Sequence, residues 1–139
     1  AGTGYWASLA RAAGVEMRAY EVHEGGRPRG TEFCQVEMGG QEVVQAAPVG
    51  TTLFLCWPVR PGGFPWDADC LEVFRGDTLI HVGEWNGSTL LVEPAHGQTT
   101  SAAFQASVEK GWSLVQTVAL PQWPWCRDEL TVWKRNAMR

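Results

Sequence analysis

The run 51–58, TTLFLCWP, narrows the fold of this chain more than any other stretch. Leu53 to Trp57 are all apolar, Pro58 ends the run, and no polar residue alternates through it. Such a run reads as a strand buried on both faces, which is the usual state of a central strand in a parallel sheet. A second run of the same kind, DTLIHVGEW at 77–85, follows after the loop PGGFPWD and the helical pattern ADCLEVFRG. Two parallel strands need a crossover of about a dozen residues, and the helix between them supplies it.

Extended along the chain, the same reading predicts a turn and helix at 2–14 and a strand at 15–21 (VEMRAYE). A short strand closed by Gly39 and Gly40 and two helical turns in QEVVQAA come before the 51–58 run. After the 77–85 strand come a long polar connection, a helix over 102–110, and two strands, WSLVQTVAL and ELTVWKR, joined by PQWPWCRD. Strands alternating with helices predict an α/β fold, a doubly wound and mostly parallel sheet, with a C-terminal antiparallel strand pair. The strand that normally precedes a glycine turn is absent before Gly2, so a first strand is expected upstream of Ala1.

With 139 residues the chain is read as one domain, 1–139, large enough for a core. Eleven basic residues against fifteen acidic ones leave a net charge of −4, which argues against a nucleic-acid partner. No apolar run approaches the roughly 20 residues of a membrane span. Cys34, Cys56, Cys70 and Cys126 include no C-x-x-C pair, so free thiols are expected in preference to a zinc site. Free thiols suit a reducing compartment, and a cytoplasmic location follows by default. The oligomeric state is not legible.

In open parallel sheets ligands bind beyond the carboxyl ends of the strands. Those ends bring forward Gly2, Thr3 and Gly4, then Glu21, then Cys56, Trp57 and Pro58, then Glu84 and Trp85. Glycines at a helix start allow close approach to the free N–H groups of the first turn. An acid about 20 residues on is placed to accept the hydroxyls of a ribose, and Glu21 has that spacing. His23, His81 and Glu84 are the candidate bases, with Glu84 preferred because it ends a strand on the ligand edge. Eight tryptophans suit core packing first and an aromatic rim second.

The motifs AGTGYWA, VEMRAYE, LFLCWP, LIHVGE and the closing WSLVQTVALPQWP…DELTVWKR resemble those of the class I, Rossmann-like S-adenosylmethionine-dependent methyltransferases. More narrowly they resemble a methyltransferase-like group with a GAGTGYWA turn and a LLCWPP strand end. The resemblance implies S-adenosyl-L-methionine as cofactor and an unidentified methyl acceptor. It assigns Gly2, Thr3, Gly4 and Tyr5 to the cofactor's methionyl side, Glu21 to its ribose, and Cys56, Trp57 and Pro58 to the neighbourhood of the transferred methyl. Trp57 and Glu84 become the candidate catalytic residues.

The chain departs from that family in three places. It lacks the first strand and first glycine, it has Gly39-Gly40 where an adenine-binding acid often stands, and CWPV replaces the amine-orienting Asp/Asn-Pro-Pro-aromatic tetrad. Two other readings stay open: a degenerate, non-catalytic methyltransferase-like domain, and an NAD-binding domain, since GTGYWA also fits G-x-G-x-x-G/A.

Overall fold

The computed structural model describes residues 1–22, 30–59, 63–85, 99–122, 124 and 126–137. They divide into two compact units, Ala1–Val43 and Val44–Arg139.

The first unit begins with a turn in which Gly2 and Gly4 take left-handed φ of 55° and 78°. Helix α1 (Tyr5–Ala12) starts from Gly4, and its end is marked by Gly14 at φ 81°. Strands β1 (Tyr20–Glu21) and β2 (Glu37–Met38) pair in parallel, Tyr20 against Glu37 and Glu21 against Met38. The strand expected over 15–21 shrinks to its last two residues. Val15 and Glu16 are exposed and only Ala19 is buried, so the alternating pattern upstream of Tyr20 has no strand beside it. Glycine at 39 has a steric reason: a Cβ there would stand 2.7 Å from Val43 Cγ1. The short helix α2 (Gln41–Gln45) runs across the division between the units.

The second unit holds β3 (Thr52–Cys56), α3 (Trp66–Val73), β4 (Thr78–Gly83), α4 (Ala102–Gly111), β5 (Trp112–Ala119) and β6 (Glu129–Arg135). Its sheet has the order β3-β4-β6-β5. Only β3 and β4 pair in parallel, in the register Leu53–Leu79 to Cys56–Val82; β6 pairs antiparallel with both β4 and β5, so β5 runs in the direction of β3 and β4. Leu53, Leu55, Leu79 and Trp133 from the strands pack with Leu71 and Phe74 near α3, Phe104 and Val108 of α4, and Trp112. Alternate residues of β3 enter this core, as strand geometry requires, while Phe54 and Cys56 are half-buried.

A polar tie joins the two helices. Asp67 in the first turn of α3 is fully buried, and its carboxylate accepts hydrogen bonds from the Ser101 N–H and hydroxyl, both at 2.7 Å. Ser101 is in turn the N-cap of α4, accepting from the Phe104 N–H at 3.2 Å.

The sheet expected from the sequence is corrected here. This is not a doubly wound, mostly parallel sheet: it is a four-stranded mixed sheet with one parallel pair, beside a separate two-stranded parallel sheet. The cause is the placement of β6, which leaves β5 and inserts between it and β4. Apolar runs tell how deeply a strand is buried but not which neighbour it meets, so β6 beside β4 was not legible. The 51–58 strand, expected at the centre, ends the order of its sheet. Among the described residues no helix is long and apolar enough to cross a membrane.

Candidate functional site

The residues singled out in the sequence fall into two groups, one in each unit, and each group is described by itself.

In the first unit the structure brings Gly2 and Glu21 together. Glu21 Oε2 accepts from the Gly2 N–H at 3.0 Å and from the Ala1 amino group at 2.9 Å, and Oε1 accepts from the Val22 N–H at 2.9 Å. Burial raises the Glu21 pKa and the Gly2 and Val22 N–H bonds lower it, favouring the carboxylate that an acceptor of hydroxyl protons has to be.

Thr3 anchors the turn by accepting from the Phe33 N–H at 2.8 Å through its carbonyl. Gly4, the N-cap of α1, has no side chain to satisfy the N–H groups of the first helical turn. Tyr5 is half exposed and meets the edge of Phe33 at 5.2 Å between ring centroids. Gly4 is required twice over, by its φ of 78° and by Cys34, whose sulfur would lie 2.7 Å from an added Cβ. A Gly4→Ala variant is expected to lose about 1–2 kcal/mol in the first unit. Hydrogen exchange of the α1 amides measures this, and protection unchanged from wild type would refute it.

In the second unit the carboxyl ends of β3 and β4 carry the other group. Trp57 directly follows β3 with φ 47°, a left-handed conformation that a bulky side chain rarely takes. Its backbone N–H still reaches Val82 at 3.0 Å, and its indole N–H donates to Asp128 Oδ2 at 3.0 Å. Trp57 is 44% exposed, whereas Asp128 is 8% exposed and its Oδ1 has no hydrogen-bond partner among the described residues.

Glu84 is buried one residue past β4, where Oε1 accepts from the Arg127 N–H at 3.2 Å. Its backbone N–H donates to Thr99 Oγ1 at 3.0 Å. Because Gly83 pairs with Glu129, Glu84 and Asp128 are the next residues along the same two strands. Burial lifts the Asp128 carboxyl above its ordinary range; the Trp57 hydrogen bond draws it back, and the Glu84 charge lifts it again. The Cys126 thiol is raised by burial and by the same two carboxylates.

Cys56 is half-buried at the end of β3 and Pro58 is buried two residues on. His81 lies inside β4, fully buried between the rings of Trp85 and Phe104, at centroid distances of 5.4 and 6.1 Å. That environment suits packing better than proton transfer to a ligand. His23, Trp123 and Trp125 fall outside the described residues. All four cysteines are free thiols, and no three His, Cys, Asp or Glu among the described residues are grouped to hold a metal ion.

Asp128 is the residue that sequence reading missed. It sits in the Pro- and Trp-rich connection before β6, with no motif around it, and reaches Trp57 only because β6 pairs with β4. In comparisons with protein-family models, with curated proteins and with solved structures, none matched the chain.

Proposed function

We propose that the chain is an S-adenosylmethionine-dependent methyltransferase-like domain that transfers a methyl group to a small-molecule or protein acceptor. The observation that carries this reading is the closure of the Glu21 carboxylate on the glycine turn at the start of α1. A carboxylate held ionised beside backbone N–H groups serves a ribose diol, and an uncapped helix start serves a carboxylate. Gly2, Thr3, Gly4, Tyr5 and Glu21 would hold the cofactor on this side.

When bound, the cofactor supplies an already activated methyl group, so most of the catalysis is positioning of the acceptor in line with it. The family resemblance alone assigns Cys56, Trp57 and Pro58, at the end of β3, to that role. A base is needed only where the acceptor must shed a proton. Asp128, beside Glu84, can serve, since burial raises its pKa and it binds a proton more readily than an ordinary aspartate.

One observation favours the second reading, a degenerate domain that binds no cofactor. Both Glu21 oxygens already accept from backbone or amino N–H groups, so the residue also works as a lock on the turn.

Calorimetric titration with S-adenosylhomocysteine separates the two readings, with NAD as control. The methyltransferase reading expects saturable binding, weakened at least about tenfold by Glu21→Gln, and none to NAD; tenfold corresponds to about 1.4 kcal/mol. No binding by a folded chain would leave Glu21 a structural lock and favour the degenerate domain.

A further inference from the structure

Trp57 follows β3 directly and stays 44% exposed, yet its indole N–H is held by a buried charge. The acceptor is Oδ2 of Asp128, at 3.0 Å, on a residue only 8% exposed. Oδ1 of the same carboxylate is buried and has no hydrogen-bond partner among the described residues. A buried carboxylate satisfied on one oxygen alone is costly, and a cation brought near it offsets that cost. Glu84, also buried, lies next to Asp128 across the β4–β6 pairing. With Glu129 they place three acids beside one base, Arg127, at this end of the two strands.

The face of an indole is the negative side of its quadrupole and attracts cations. An N–H donated to a carboxylate pushes further electron density into the ring, which strengthens that attraction.

We propose that the exposed face of Trp57 binds an organic ammonium group, with Asp128 as the positioning residue that fixes and polarises the indole. Local charge selects this ligand. An anion would be repelled by Glu84 and Asp128, and a neutral apolar group would gain nothing from them. Asp128 acts through the indole and does not touch the ligand, since Oδ1 is buried and Oδ2 is taken by the ring N–H. The inference deepens the proposed function by giving the methyl acceptor an ammonium group, and rests on that reading only in calling the ligand an acceptor. Binding to Trp57 needs no cofactor. One aromatic face contributes about 0.5–2 kcal/mol to holding a cation, so millimolar affinity is expected for a simple ammonium ion.

Titration of the whole 139-residue chain with tetramethylammonium chloride, from about 1 to 100 mM at constant ionic strength, brackets that affinity. The indole N–H resonance of Trp57, identified as the one lost in Trp57→Leu, reports binding by NMR. A saturable shift is expected with tetramethylammonium and none with tert-butanol, a neutral molecule of similar shape. Saturation transfer from protein to ligand protons compares the variants, after circular dichroism has confirmed that each is folded. Trp57→Leu should weaken binding at least about fivefold. Asp128→Asn keeps an oxygen for the indole but removes the charge, and should weaken binding at least about threefold. An unmoved Trp57 resonance overturns the proposal, as does an equal shift with tert-butanol or unchanged binding by either variant. Binding of S-adenosylhomocysteine is a separate measurement: its failure leaves the cation site standing, and failure of the cation site leaves the cofactor reading standing.

Discussion

An Asp67→Ala variant is expected to unfold at least about 12 °C below the wild type, the largest loss that any single polar substitution in the second unit should cause. The Asp67 carboxylate is buried and is the acceptor for both the Ser101 N–H and hydroxyl. Hydrogen bonds to a charged group contribute about 1.5–3 kcal/mol each, and truncation also leaves a donor without its acceptor. Two such bonds give roughly 3–6 kcal/mol, and in a unit of this size each kcal/mol corresponds to several degrees. The damage spreads because Ser101 caps α4, whose Phe104 and Val108 lie in the core. Asp67→Asn keeps an oxygen for the Ser101 N–H and should lose less than half as much. Thermal unfolding followed by circular dichroism reads both; a drop under about 3 °C for the alanine variant would contradict the assigned network.

The second large effect is an acid lability set by His81. Burial lowers its pKa from 6.5 to about 4, and neither ring nitrogen has a hydrogen-bond partner among the described residues. A histidine whose folded pKa is depressed binds its proton more readily in the unfolded chain. Its contribution is therefore intact above pH 6.5 and is lost as pH falls from there toward 4. The full loss is about 3 kcal/mol, most of it incurred by pH 4.5. His81→Leu removes the ionisable group while keeping an apolar body between Trp85 and Phe104. Denaturant melts of the two proteins at pH 7 and 4.5 should show a steep loss in wild type and a shallow one in the variant. Equal losses would remove His81 as the cause.

How much of this was legible in the sequence depends on the range of the interactions involved. The glycine turn and Glu21 were legible because an acid a fixed number of residues past a turn is a local pattern, and the structure joins them at 3.0 Å. Helix α4 was legible over 102–110, and the structure carries it one residue further, to Gly111. The strand over 15–21 was overread, since alternation produces a strand only where a neighbour shares its hydrogen bonds, and among the described residues β2 reaches it only at Ala19, Tyr20 and Glu21.

By itself, then, the sequence determined where strands and helices form: the runs that became β3, β4, β5 and β6 and the helical patterns that became α1, α3 and α4. Tertiary structure alone decided that β6 lies between β4 and β5, that the sheet is mixed, and that Asp128 meets Trp57 across 71 residues. Burial and helical periodicity are properties of each segment, written in its own side chains. Strand order and the Trp57–Asp128 bond depend on which backbone edges meet, and that choice is made by packing among segments far apart in sequence.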